Sequence, residues 1–512
     1  MKSSPPVVAF EKSAARLLFV RLADARTVAL MAFFVGAAVV LAHRPFIHIE
    51  MGDEAIYDYI SQSIVRGQVP YRDVIDPKAP ASMYISAAAM AAGRVLGLSD
   101  IIAVRWLHIF EMGLLAAITF LVAEAYFCNR LASLLAFFIP LLFDIFSYLV
   151  TRGTQPKLPM IIFGMLTLLL IAKDKPLWAG VCSMLSCLCW QPGLMFTGVA
   201  LMIFSKYFTS WRDLRAAKVA IGAAAPLALV LLYFYLKGAL GDLWTWTVIF
   251  PYGAFGPQKT TSLSDSFNNI SKVMGSRLNS DLILVKLAAA GLLIYIAARA
   301  WRIIRREEKF LSADLFKDAI IYPPIIYLLF SIISFQSGGD LIPFFPFTGL
   351  FAAWFIVQAA RLAARAWSKL EPLIPITVMI IISTLIIVRA ATNKPPKQTL
   401  QQQRQEAQVL ASYLGPDDKI YVHGVGEILV LLNRPNLNKY IALDSGADDF
   451  IAAQKPGGFQ DVINEMEAQA PKIVVAARLR NVSHRKEIKE WLSNHYERLA
   501  QIQLKGVFIR KQ

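Results

Sequence analysis

Five stretches of this chain run 16 to 21 residues without a charge: 27–42, 219–236, 319–339, 341–360 and 372–388. A helix crosses the hydrocarbon core of a bilayer with about 20 apolar residues, range about 17–25. So many uncharged runs leave one fold class, a mainly α, polytopic helical membrane protein. Composition agrees. Charged residues make up 17% of the chain, against about 25% in ordinary soluble domains. That deficit excludes disorder, which needs low hydrophobicity and high net charge.

The net charge is +16. In a soluble protein it would point to nucleic acid. In a membrane protein it points to cytoplasmic loops, where Lys and Arg collect, and no nucleic-acid partner is expected. About eleven spans are predicted, at 27–43, 106–127, 131–150, 157–172, 177–190, 193–205, 218–236, 281–299, 319–336, 343–360 and 372–390. Residues 1–26 carry Lys2, Lys12, Arg16, Arg21 and Arg26 and are expected to stay inside. The inner connections then hold Arg130, then Lys173 and Lys175, then Lys206 to Lys218, then Arg299 to Lys317, and last Arg361, Arg365 and Lys369. The outer turns near Gln191 and Asp340 hold none; the turn near Gln155 is the exception, with Arg152 and Lys157. The 30 uncharged residues 176–205 are read as a tight hairpin, with Gln191-Pro192-Gly193 as its turn. The four cysteines, at 128, 182, 187 and 189, lie in or beside apolar segments and are read as packing residues.

Three stretches are expected outside: 43–105, 237–280, and everything after about 391. In the first, 79–93 is apolar enough to lie in the interface. The second holds Trp244, Trp246, Tyr252 and the polar run 259–269. The domains expected are thus 1–26 cytoplasmic, 27–392 transmembrane with the outer loop 43–105, and 393–512 a small extracytoplasmic α/β domain. In that tail, helices are predicted at 401–413, 427–432, 459–468 and 485–499. Strands are predicted at 419–422, 440–443, 472–476 and 506–510, and the alternation suggests βαβ units. Gly424-Val425-Gly426 lacks a third glycine and reads as a strand-to-helix turn rather than a nucleotide loop.

The outer loop opens on Met51-Gly52-Asp53-Glu54-Ala55-Ile56-Tyr57. On a helix, Asp53 and Tyr57 share one face. Two adjacent carboxylates there fit either a helix start or a reactive pair near the membrane surface. Farther on, prolines 70, 77 and 80 fix an irregular turn, with Lys78 between two of them. A cation held at headgroup level suits a phosphate; snorkelling to solvent explains it as well. Asp144 is an ionisable residue within a predicted span, where a charge costs about 2.5–3.5 kcal/mol at a helix centre. Asp340 fits either a helix cap or a binder of acceptor hydroxyls.

Taken in order, Asp53-Glu54 after the first span, Tyr57, "GQVPYRD", "DPKAP" and "GLSDIIAVRW" resemble the C-type-fold (GT-C) glycosyltransferases. The likeness is to the bacterial RgtA/B/C/D-like branch, related to the protein mannosyltransferases and the lipid A aminoarabinose transferase. It is specific over about residues 27–130. The resemblance implies an inverting hexosyl- or pentosyltransferase that takes a sugar from a polyprenyl phosphate. The acceptor is a glycan, lipid or protein at the extracytoplasmic face of a bacterial inner membrane. It implies Asp53 as general base, with Glu54 beside it. Lys78 is implied as the donor-phosphate ligand, with Arg72 and Arg105 as further phosphate-binding candidates in the same outer stretch; Arg105, in "AVRW", also matches a recurrent Arg that orients this loop. Tyr57, Asp340 and Gln155 are expected around the substrates.

Three departures matter. Ala79 stands where the family has Pro, and Ile56 where the aminoarabinose branch has Arg. Gln155 stands where many members have an acid, which puts a second carboxylate or a metal ligand at that point in doubt. No cofactor is expected, and a divalent cation stays open. The other class of function is a polytopic transporter or lipid-linked sugar flippase, which calls for charged or broken helices near the midplane and two matching halves.

Overall fold

The structure, a computed structural model, describes residues 24–206, 213–255, 263–305, 313–365, 370–499 and 506–511. Most of the expected inner segment 1–26 lies outside the described residues. So do Arg212, Arg306, Lys309 and Lys369 of the inner connections, and 259–262 of the polar run.

The chain is a multi-pass membrane protein. Helix α1 (Ala25–Ala42) leads to α2 (Gly52–Val65) and α3 (Ala81–Val95), which fill the first expected outer loop. There follow α4 (Asp100–Phe127), α5 (Arg130–Leu141), α6 (Asp144–Val150), α7 (Lys157–Ala172), α8 (Pro176–Cys189) and α9 (Leu194–Lys206). Next come α10 (Arg215–Leu236), two short turns α11 (Leu240–Trp244) and α12 (Phe250–Phe255), α13 (Leu263–Leu278) and α14 (Leu282–Ile304). Helices α15 (Tyr322–Ser334), α16 (Phe345–Ala364) and α17 (Leu370–Thr392) complete the bundle.

Each predicted span has its helix, but they are not alike. Among the described residues, seven helical segments are long and apolar enough to cross a membrane. The span predicted at 131–150 is broken between α5 and α6 by a 63° bend. Pro140 near the end of α5 removes an amide donor there. Helices α7, α8 and α9 are apolar but shorter, and the 3₁₀ turn Gln191–Gly193 joins the last two, as the hairpin reading requires. The expected outer loop 237–280 is largely helical, and Trp246 is buried against Phe250 and Phe450. Asp144 opens α6 after the bend, with its side chain 60% exposed.

The tail forms α18 (Leu400–Ala411), β1 (Ile420–His423), α19 (Gly426–Leu432), α20 (Ala447–Ala452), α21 (Phe459–Ala468), β2 (Ile473–Ala476), α22 (Arg485–His495), β3 (Tyr496–Arg498) and β4 (Val507–Arg510). The sheet order is β1-β2-β4-β3. One parallel crossover pairs β1 with β2, Val422 facing Val475, and the β3–β4 pair is antiparallel. The strand expected at 440–443 does not form. Tyr440 N–H is taken by the Asn438 side chain and Ile441 N–H by the Lys439 carbonyl, so no ladder can grow. Residues 496–498, expected at a helix end, leave α22 and pair with β4. This unit packs on α2: Ile56, Tyr59 and Ile60 share one apolar cluster with Val422, Ile428 and Leu429.

Candidate functional site

The first turn of α2 carries Asp53 and Glu54, where carboxylates meet the positive end of the helix dipole. Their fates differ. Asp53 points outward, 68% exposed, with the Arg478 guanidinium 3.4 Å from one oxygen. Glu54 is buried. Its oxygens accept from the Gln155 amide at 3.3 Å and face Arg152 at 3.5 Å. Burial still outweighs Arg152 and raises the Glu54 carboxyl above its ordinary range.

Lys78 reaches the same turn of α2 from the proline-rich loop. Its ammonium lies 4.7 Å from the centre of the Tyr57 ring. The loop is held by short bonds of its own. Tyr71 OH donates to the Lys78 carbonyl at 2.7 Å, and Asp76 accepts from the Lys78 amide at 2.8 Å. Gln191, in the α8–α9 turn, donates to the Pro77 carbonyl at 2.7 Å. The charge of Asp53 bears on Tyr57, Asp76 and Asp444 alike, after burial, and helps raise all three. These groups therefore lie near one another.

Beneath them lies a buried polar layer. Arg105, fully buried, donates to Glu50 and to the Pro45 carbonyl, both at 2.7 Å. Asp58, one turn after Glu54, accepts from the Thr154 amide at 3.0 Å and lies 2.5 Å from the Thr154 hydroxyl. Burial and the repulsion of Asp58 push the Glu50 carboxyl well up, and burial raises that of Asp58. Gly153 makes room for both: a Cβ there would sit 2.6 Å from an Asp58 oxygen and 3.2 Å from a Glu50 oxygen, and φ is +151°.

The tail closes one wall. Gly426, at the start of α19, lies directly on α2; its Cβ would meet the Ala55 carbonyl oxygen at 2.7 Å. The Gly424-Val425-Gly426 turn thus serves helix packing. Glu427 follows it, and burial lifts its carboxyl to about 7 although Arg478 and Arg152 oppose the shift. Gln403 in α18 exchanges bonds with both backbone groups of Glu50, at 2.9 and 2.7 Å.

Of the residues singled out from sequence, Asp53, Glu54, Tyr57, Lys78 and Gln155 come together. Three others are engaged elsewhere. Arg72 turns away, bonding Asp73 and the Lys237 carbonyl at the end of α10. Arg105 meets a carboxylate, not a donor: it is sealed from any phosphate and fixes the loop. Asp340 accepts from the Gln336 and Ser337 amides and pairs with Lys157 at 2.9 Å, the helix cap of its two readings. Missed from sequence were Glu50, Asp58, Arg152, Thr154, Glu427, Asp444 and Arg478. The four-residue spacing of Glu54 and Asp58 was the one local signal among them.

An acid-bearing helix laid at the mouth of a helical bundle, under a small α/β cap, defines the GT-C fold. Solved structures of the same fold cover nearly all of the chain. ArnT from Cupriavidus metallidurans, bound to undecaprenyl phosphate, superposes with a TM-score of 0.60 at 14% identity, over 97% of this chain and 98% of that one. The archaeal oligosaccharyltransferase AglB from Archaeoglobus fulgidus, in complex with an inhibitory peptide and a dolichol-phosphate, gives 0.52 at 13% identity over 87% and 69%. In sequence, a dolichol phosphate-mannose mannosyltransferase of Haloferax volcanii is 26% identical over 206 residues. That match spans 39% of this chain and 43% of the relative, less than half of its length. No protein-family model matches.

Proposed function

We propose that the protein is an inverting glycosyltransferase that moves a sugar from a polyprenyl phosphate to an acceptor hydroxyl at the membrane surface. The observation that carries this is the exposed Asp53, set by a rigid buried layer and flanked by Lys78 on the next loop. In the reaction, Asp53 takes the proton of the acceptor hydroxyl. The freed oxygen attacks the anomeric carbon from the side opposite the phosphate, and the bond from that carbon to the phosphate oxygen breaks. Polyprenyl phosphate leaves, and the Lys78 ammonium meets its growing charge. The neighbours' names support transfer over transport: two of them hold polyprenyl-type phosphates, and the Haloferax relative is named a mannosyltransferase.

The side we propose for the reaction is the periplasmic face of a bacterial inner membrane, with glycan, lipid or protein as acceptor. The distribution of Lys and Arg along the sequence supports that side. A divalent ion does not fit beside Glu54. The carboxylate there already faces the Arg152 guanidinium and the Gln155 amide, donors that repel a cation. No step is routed through a metal.

The test is purified protein incubated with a short-chain polyprenyl-phosphate sugar, with released polyprenyl phosphate as readout. Asp53→Asn keeps the carboxylate's shape and loses its basicity. The rate is expected to fall by at least about 10²-fold, the low end for a lost general base. Wild-type turnover by that variant would move the base to Glu54.

A further inference from the structure

A cavity of about 850 Å³ opens on the Glu54 side of α2, walled by α6, the end of α13 and the chain after α17. Its lining carries Arg152, Arg277, Arg389, Lys394 and Lys397 against a single carboxylate, Asp144. Two of these cations are engaged. Arg389 bonds both oxygens of Asp281, at 2.7 and 2.8 Å, and Arg152 faces Glu54. Arg277, Lys394 and Lys397 are exposed, and among the described residues none of them pairs with a carboxylate. His48 is also on the wall. Burial lowers its imidazole first, and the nearby charges of Arg105, His43 and Arg152 lower it further.

The cavity's inner end touches Met51 and Arg152. It therefore arrives at the first turn of α2 from a different side than Lys78 does. Lys78 stands over Tyr57, on the face that Asp53 shares. Arg152 stands at Glu54, about 100° around the helix. A donor phosphate held at Lys78 leaves this second basic approach to the same turn of α2 for the other substrate.

We propose that this cavity seats the acceptor, and that the acceptor carries an anionic group, phosphate or carboxylate, near the hydroxyl that receives the sugar. The inference rests on the transfer reaction proposed above. The one other source of such an anion is the donor's own phosphate.

The double variant Arg277→Glu/Lys394→Glu separates these. Membrane extract of the source cells is split by anion exchange into neutral and anionic fractions, and each is offered with a labelled short-chain polyprenyl-phosphate sugar. Label is expected in the anionic fraction. The double variant should lower kcat/KM for that fraction by at least about tenfold, since each basic residue near a membrane surface attracts anions measurably. Its affinity for the donor should be unchanged. Transfer to the neutral fraction as good as to the anionic one, or wild-type transfer by the variant, overturns the proposal. Loss of donor affinity overturns it too, and assigns the cavity to the donor phosphate. If neither fraction nor water releases polyprenyl phosphate from wild type, the transferase reading fails. The cavity is then judged by binding of dihexanoyl phosphatidic acid against dihexanoyl phosphatidylcholine. Preference for the acid in wild type only sustains an anion site, and equal affinities refute it.

Discussion

Gly426→Ala tests whether the tail sets the position of the reactive helix. The added methyl would lie 2.7 Å from the Ala55 oxygen and 2.8 Å from Ala55 C and Ile56 Cα. Carbon contacts are comfortable from about 3.5 Å, so α19 and α2 must part by about 0.7 Å. All three clashing atoms are backbone, and no side chain can rotate aside. Overpacking of this kind costs about 1–3 kcal/mol. The larger effect is geometric. A misplacement of 1 Å can cost about 10²-fold in rate, so 0.7 Å at Asp53 is expected to lower kcat by about tenfold or more. The assay is the initial rate of polyprenyl phosphate release at saturating donor, with the melting temperature in detergent alongside. Gly198→Ala in α9 is the control, because a Cβ there meets nothing within 4 Å. A Gly426→Ala protein with wild-type kcat and unchanged melting would refute the claim that this contact positions α2.

Lys78→Ala is expected to lower kcat and raise the KM for donor together, because the ammonium acts on both ground state and leaving group. Lys78→Arg should recover part of each, as charge is kept while the point geometry is lost; unchanged donor kinetics in the Ala variant would move the phosphate elsewhere. Glu427 has a folded pKa raised to about 7, so its contribution to stability is full below its ordinary value of 4.5 and lost as pH rises through about 7. Melting temperatures from about pH 5 to about pH 8 should therefore fall more in wild type than in Glu427→Gln, and parallel curves would contradict the burial argument.

The apolar segments could be read from the chain because a bilayer demands length and apolarity locally. The bend at Leu142 could not, since it depends on how neighbouring helices cover exposed backbone. Asp53, Glu54 and Lys78 were legible through their order after the first span. What holds them was not. Glu54 meets Arg152 across 98 residues of sequence, and Asp58 meets Thr154 across 96. Arg105 had two readings, phosphate ligand and loop orienter, and its burial against Glu50 and Pro45 favours the second. The strand misread at 440–443 had the right residues, but side-chain and local acceptors claimed its amides first.

The paired bonds between Gln403 and Glu50 join residues 353 apart. A ribosome adds about 5–20 residues per second, so the reactive loop is finished roughly 20–70 s before its cover is made. Through that interval Ile56, Tyr59 and Ile60 have no apolar partner from the tail. The acid pair Glu50 and Asp58 already has Arg105 and Thr154. What the newborn loop lacks is a lid. Nascent chains halted between α17 and β1 should be cut in the 52–65 region by an added protease, and full-length chains should resist it.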